Sequence, residues 1–224
     1  MRLYSGPLSL FSRKVEIALY EKRIDFERVE VAFTQTEGYR PKHLDVIAAN
    51  PKGQVPVLVD DGDLTLFDST VILEYLEDAY PIPPLYPAEP KGKARCRLVE
   101  LYADEILLAD VRRLMYRTEP PLADAERQKA RQEEGERGEA GILGHYRRLE
   151  EQLGSNGYFC GVFTAADIAL FMTVHYVVRL DGPRLDPFPA LADWYRRIAK
   201  RPSSARVVQE IANSDRTLSW PLSA

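Results

Sequence analysis

The chain has 224 residues, 45% of them hydrophobic, and 30 Lys and Arg against 34 Asp and Glu give it a net charge of −4. That is enough apolar material for one large or two small packed domains, and with no clustered basic run nucleic acid is not an expected ligand. No window approaches the roughly 18 consecutive apolar residues of a membrane span, and the N-terminus "MRLYSGPLSL" lacks a signal-peptide core, so a cytoplasmic protein without membrane contact is expected.

Residues 2–5 read as a strand and 12–22 as a helix whose Val15, Ile17, Ala18 and Leu19 lie mainly on one side. "FERVEVA" at 26–32 alternates apolar and charged residues as a second strand. "PKHLDVIAANP" gives a short helix that must stop by Asn50, because Pro51 disfavours helical geometry in the residue before it. "QVPVLVDDGDLTLFD" is a hairpin signal, and "STVILEYLEDAY" is a helix capped by Asp68 or Ser69.

Five prolines in residues 80–90 exclude helix or central strand and mark a stiff linker. Everything after it reads helical, over 93–117, 124–153, 164–180, 188–200 and 203–212. The expected fold class is therefore α+β, with a βαβαββα domain over 1–80, a linker over 81–91 and an all-helical domain over 92–224. Within the second long helix Gly135, Gly138, Gly141 and Gly144 recur every three residues. Either a neighbour packs very close or the helix is weak and solvated, and the charged composition favours the second. "FTAADIAL" carries Thr164 and Asp167 at capping spacing, a nucleation signal for a core helix.

Cys96 and Cys160 lie in apparently unrelated segments without CxxC spacing and read as small, reduced, buried residues. His43, His145 and His175 have no His or Cys partner at ligand spacing, so no metal is expected.

Val55-Pro56 is the most informative pair, because a proline opening a strand cannot donate to the ladder. A cis bond there would turn the backbone groups of Val55 outward to pair with an extended peptide. "NPKGQVPVLVDDGDLTLFDSTVILEYLED", taken with "LYSGPLSLFSRKVEIALYEK", resembles the cytosolic glutathione transferase family, and the linker and helical remainder extend the likeness over nearly the whole chain.

That resemblance implies a thioredoxin-like N-terminal domain that binds glutathione and a helical domain that helps hold an electrophile. It implies that Val55, beside Pro56, pairs with the cysteinyl part of glutathione. Ser69 and its helix N-terminus would receive the γ-glutamyl carboxylate, with Asp68 facing the amino group. Lys52 and Gln54 would be candidates for the glycyl carboxylate, although relatives often carry a basic residue where Gln54 stands.

A free thiol titrates near 8.5, so little is ionised at neutral pH, and a hydroxyl that donates to the thiolate favours the charged form. Ser9 matches the catalytic serine of serine-type transferases when "RKVEIAL" is laid on their pattern. Ser12, one turn later, is the second candidate and reads as the helix N-cap. Tyr4 lies within a strand, where a core or interface role fits better. No cysteine occurs in residues 1–20, so glutathione itself would be the nucleophile.

The implied electrophile pocket would be lined by Tyr102, Ile106, Asp110 and Leu114, which share a face at spacings of four. The same face could equally pack against other helices. The tail "SDRTLSWPLSA" could fold over the cleft through Trp220 or be disordered. A homodimer is implied by the family alone.

Two further readings stay open. "FDSTVILEYLEDAYPIPPLYP" is also similar to stringent starvation protein A, a transferase-fold regulator that binds RNA polymerase without glutathione chemistry. That regulator lacks a hydroxyl where this chain has Ser9. A non-catalytic ligand carrier is the third.

Overall fold

The computed structural model describes residues 1–39, 43–61 and 64–222. Pro41 and Lys42 of the short-helix segment, and Gly62 and Asp63 of the expected hairpin turn, lie outside the described residues. The chain forms two compact units, Met1–Tyr86 with Arg201–Leu218, and Pro87–Lys200 with the residues from Ser219.

The first unit is built on a four-stranded sheet of order β2-β1-β3-β4, with β1 Arg2–Ser5, β2 Glu27–Glu30, β3 Val57–Asp60 and β4 Leu64–Phe67. β1 and β2 are parallel, joined by helix α1 (Leu10–Glu21), while β1–β3 and β3–β4 are antiparallel. A short α2 (Leu44–Ala49) ends at Asn50, as the following proline requires, and α3 (Ser69–Ala79) follows β4. Tyr4 faces the core, where its hydroxyl donates to Asp45 Oδ2 at 2.6 Å. The far end of the hairpin is pinned to α3 by buried Asp60, which accepts from Tyr75 at 2.5 Å and Tyr80 at 3.1 Å. The Asp60 hydrogen bond, helped by burial, pushes the Tyr75 phenol up to about 12.

The linker is held as well as stiff. Lys22, closing α1, buries its ammonium and donates to Glu77 at 2.7 Å and to the Tyr80 and Pro83 carbonyls at 2.7 and 3.1 Å. The Glu77 carboxylate in turn accepts from the Leu85 and Tyr86 amides.

In the sequence α1 has one apolar side, yet in the fold Arg13, Lys14 and Glu16 are as buried as Val15 and Ile17. The cause is the helices packed on it: α3, whose Thr70 hydroxyl accepts from Lys14 at 3.1 Å, and the last helix, here labelled α9 (Pro202–Leu218), which is longer than the expected 203–212 and packs on α1 within the first unit. Its Glu210 joins a closed square of charges. Arg13 contacts Glu16 at 2.6 Å and Glu210 at 2.8 Å, and Arg28 contacts the same two carboxylates at 2.9 and 2.6 Å. Two cations and two anions, each with charge-assisted hydrogen bonds, can leave water together.

At the other end of α9, Arg201 donates to Glu21 at 2.6 and 2.9 Å, and Ser203 donates to the same carboxylate. Burial alone would raise Glu21 and Glu210, but Arg201 and Ser203 for the first, and Arg28, Arg206 and Arg13 for the second, pull both below the ordinary carboxylate value of 4.5. A carboxylate held low in the folded state stabilises the protein fully above its unfolded value, and that contribution disappears as pH falls through the folded one. The expected Tm is therefore flat from neutrality to about pH 5 and declines below it, with Glu210→Gln weakening the decline. A Tm unchanged down to about pH 3 would contradict this.

The second unit is helical. α4 (Pro90–Leu101) runs into a π segment (Tyr102–Leu107), then α5 (Leu108–Arg112) and a 3₁₀ turn (Met115–Thr118), so the expected single helix over 93–117 is interrupted twice. α6 (Ala125–Leu153), α7 (Ala165–Arg179) and α8 (Pro189–Ala199) complete it. α7 is its centre, buried on every side from Ala165 to Val177. The solvated reading of the glycine repeat is corrected by α6. A Cβ on Gly135 would lie 2.8 Å from the Tyr116 hydroxyl, one on Gly138 2.8 Å from the Asp110 carbonyl, and one on Gly141 2.0 Å from the Asp110 carboxylate. The small residues let the α5 segment sit directly on α6, and only Gly144 faces open space.

Residues up to Leu218 belong to α9, and the Trp220 amide donates to the Thr118 carbonyl at 2.8 Å. No helix among the described residues is long and apolar enough to cross a membrane.

Candidate functional site

Sheet register decides what gathers at its edge. β1 runs toward Ser5 and the loop 6–9, β3 starts with Val57 beside Tyr4, and β4 ends with Phe67 beside Val57. The loop carrying Ser9, the segment Lys52–Pro56 entering β3 and the pair Asp68–Ser69 leaving β4 therefore meet at one end of the sheet. Three stretches far apart in sequence become neighbours because β1 and β3 are antiparallel.

Ser9 is the N-cap of α1, with extended backbone and Oγ accepting from the Ser12 amide at 3.2 Å. The helix begins at Leu10, two residues earlier than expected, so the capping role falls to Ser9 and not to Ser12. Ser12 is fully buried, and its Oγ accepts from the Gly6 amide at 3.2 Å. Accepting an N–H uses a lone pair of Ser9 Oγ and leaves its O–H proton for donation. The positive end of α1 reinforces any negative charge placed there.

The loop itself is held by residues that the sequence reading did not single out. Arg13, from the charge square, donates through Nε to the Pro7 carbonyl at 3.1 Å, and the Tyr39 ring closes over Gly6 so tightly that a Cβ there would lie 2.3 Å from its hydroxyl oxygen. The dipeptide Gly6-Pro7 was the available signal.

Val55-Pro56 is cis, and Val55 stands two residues ahead of β3, outside its ladder with β1 and β4. The approach to it is shaped by buried Asn50, another residue missed. Asn50 donates through Nδ2 to the Gln54 carbonyl at 2.7 Å and accepts from the Lys52 amide at 3.0 Å, and its carbonyl accepts from Gly53 at 2.7 Å. Gly53 has φ +57, which glycine adopts at little cost. Lys52 and Gln54 expose their side chains at the rim.

Asp68 is the N-cap of α3 and sits at φ +73, a left-handed backbone that a non-glycine residue holds only under constraint. Its Oδ1 accepts from the Thr70 and Val71 amides at 3.0 and 3.5 Å. The carboxylate thus occupies part of the helix N-terminus, and Ser69 beside it is buried.

Of the four helical-unit candidates, two are brought together. Tyr102 Oη lies 2.6 Å from His145 Nδ1, and His145 Nε2 lies 3.2 Å from Asp110 Oδ2, whose other oxygen accepts from Arg113 at 2.9 Å. Burial raises the Tyr102 phenol, with the charge of Asp110 adding and that of Arg148 opposing. Ile106 is half-exposed and Leu114 is fully buried against Gly182. The π segment is why a four-residue spacing does not give one face: its wider turn rotates the residues after it relative to those before. His145, 35 residues beyond Asp110, carried no sequence signal.

Comparison with known proteins matches residues 3–88 to the glutathione S-transferase N-terminal domain and residues 132–197 to the glutathione S-transferase C-terminal domain. The chain belongs to the glutathione S-transferase family.

A glutathione S-transferase from Rhodospirillum rubrum shares the fold at TM-score 0.77 and 29% identity over 92% of this chain and 90% of that one. Another, from Methylobacterium radiotolerans in complex with glutathione sulfonate, does so at TM-score 0.73 and 28% identity over 92% and 93%. Among curated relatives, a stringent starvation protein A homologue of Coxiella burnetii is 39% identical over 128 residues, 57% of this chain, and the match spans 57% of that protein's length. Proteins named glutathione S-transferase and proteins named stringent starvation protein A homologue are thus both among those this chain is similar to.

Proposed function

We propose that the chain binds glutathione at this sheet edge and activates its sulfur through Ser9 for attack on a small electrophile. The observation that carries the reading is Ser9 at the mouth of α1, its oxygen anchored by the Ser12 amide and its proton left to donate. In this reading the backbone of Val55 pairs with the cysteinyl unit, Ser69 and the start of α3 take the γ-glutamyl carboxylate, and Lys52 or Gln54 meets the glycyl end. Asp68 faces the amino group through Oδ2, since Oδ1 serves the cap.

A hydrogen bond to a charged group contributes about 1.5–3 kcal/mol, which lowers the bound thiol by about one to two pKa units. The expected result for Ser9→Ala is a thiolate absorbance titration of bound glutathione shifted upward by that amount, with kcat/KM falling about 10- to 100-fold. A midpoint that stays in place removes Ser9 from the mechanism.

The second reading, a stringent starvation protein A-like regulator that binds RNA polymerase, is favoured by the 39% identity to the Coxiella protein. Titration calorimetry separates the two, since the regulator reading expects no glutathione binding.

We also infer a homodimer. Its support is the resemblance to the family, with Leu98 and Leu101 of α4 exposing apolar side chains that a second copy would cover. Light scattering is expected to give twice the 25.5 kDa chain mass, and a species of 25.5 kDa alone would refute the dimer.

A further inference from the structure

The glycine repeat and the π segment, neither of which the glutathione reading uses, together build a chain of three side chains in the second unit. In an unbroken α-helix residues eight apart diverge by about 80° around the axis, so Tyr102 and Asp110 would face different ways. The π turn Tyr102–Leu107 between them takes up an extra residue and swings Asp110 back toward Tyr102. Gly141 leaves room for the Asp110 carboxylate against α6, since a Cβ there would lie 2.0 Å from Oδ2, and His145 stands one turn further along the same helix. Asp110 Oδ2 thereby comes to 3.2 Å from His145 Nε2, and His145 Nδ1 to 2.6 Å from the Tyr102 hydroxyl.

We propose that Tyr102, His145 and Asp110 form a triad that hydrolyses aryl esters through an acyl group carried on Tyr102. A carboxylate only accepts, so Asp110 fixes the imidazole with its proton on Nε2 and leaves Nδ1 to take the proton of Tyr102. Asp110 is itself held by Arg113 at 2.9 Å and acts as a positioning residue, while Tyr102 is the nucleophile and His145 the base. Tyr102 Oη attacks the ester carbonyl carbon as its proton passes to His145 Nδ1. The bond to the leaving phenol breaks, and that phenol departs with the proton from His145. Water then attacks the acyl group and gives a proton to His145, which returns it to Tyr102 as the carboxylic acid leaves. One ester and one water become one acid and one phenol.

The surroundings fit these roles. All three side chains belong to partly exposed residues, so a substrate can reach them. Burial raises the Tyr102 phenol, which therefore keeps its proton at neutral pH and needs a base to attack. Arg148 holds its guanidinium carbon 5.5 Å from the centre of the Tyr102 ring, a positive charge that favours the negative charge developing during attack. Ile106, one turn on and half-exposed, offers an apolar surface to an aryl group. The ester class follows from the nucleophile: a phenolate expels another phenolate readily but not the far more basic alkoxide of an alkyl ester. The triad uses no residue of the sheet edge and stands apart from the glutathione reading.

The test mixes the full chain with p-nitrophenyl acetate in the absence of any thiol. The expected result is release of p-nitrophenol faster than in buffer, and an acetyl group on Tyr102 in a digest of protein quenched with acid within the first turnover. Tyr102→Phe should release no faster than buffer, and His145→Gln should slow acetylation of Tyr102 by about 10²–10⁴-fold. Asp110→Asn should lower kcat with KM unchanged, because Asp110 does not touch the ester. Release at the buffer rate in the wild type, no acetyl group on Tyr102, an undiminished rate in Tyr102→Phe or His145→Gln, or an unchanged kcat in Asp110→Asn would each overturn the proposal. Should Tyr102→Phe fail to fold, the wild-type acetyl map and His145→Gln decide it.

Discussion

Asp167→Ala is expected to lower Tm by about 10 °C, corresponding to about 3–5 kcal/mol of lost stability. Asp167 is completely buried at the third position of α7. One oxygen accepts from the Thr164 amide at 2.9 Å and its hydroxyl at 3.2 Å, and the other from the Trp194 indole at 2.9 Å and the Phe159 amide at 3.2 Å. Removing the carboxylate strands an indole N–H and two backbone N–H groups in the interior, and each buried unsatisfied donor costs about 1–3 kcal/mol. It also removes the cap from the helix around which the second unit packs. Burial raises the Asp167 carboxyl while these four donors oppose it. Asp167→Asn keeps one acceptor oxygen and should therefore lie between alanine and wild type in a thermal melt. Equal melting of Asp167→Ala and wild type would contradict this account of α7.

Glu16→Ala is the second large effect, expected at about 3–5 kcal/mol. Glu16 is fully buried on α1, where it accepts from Ser5 Oγ at 2.6 Å, Arg13 at 2.6 Å and Arg28 at 2.9 Å. Without it, two guanidinium groups face the single carboxylate of Glu210, and an uncompensated buried charge outweighs the lost side-chain volume. The effect should reach the candidate site, because Arg13 also holds the Pro7 carbonyl of the Ser9 loop. Denaturant titration reads the stability loss, and hydrogen exchange should show lost protection in both α9 and residues 6–9. Weakened protection in the second unit alone would mean that the charge square does not support the loop.

The difference between these two residues is instructive. Asp167 was legible: Thr164 and Asp167 at capping spacing ahead of an apolar run is a local signal, and the local structure obeyed it. The indole of Trp194, 27 residues on, was not part of that signal. Glu16, read locally, is an ordinary charged residue on the polar side of an amphipathic helix, and nothing near it in sequence indicates burial. Its burial depends on Glu210 and Arg28, brought in by α9 and β2. The glycines of α6 behaved likewise, because the charged residues between them describe the exposed side of the helix and say nothing of the α5 segment on the other.

The candidate site divides in the same way. Proline chemistry, capping residues and turn signals are written in neighbouring residues, so the strand before Ser9, the Val55-Pro56 entry to β3, the Asp68 cap and the stiff linker could be read directly. Which serine caps α1, how Asn50 shapes the rim and why Tyr102 and Asp110 share His145 depended on tertiary structure. The sequence by itself determined the order of elements and the α+β class, because those rest on periodicity and on local backbone preference. Only the tertiary structure decided that α9 completes the first unit and that the charges of Arg13, Glu16, Arg28 and Glu210 meet as pairs, since hydrogen bonds and desolvation act between atoms close in space regardless of their separation along the chain.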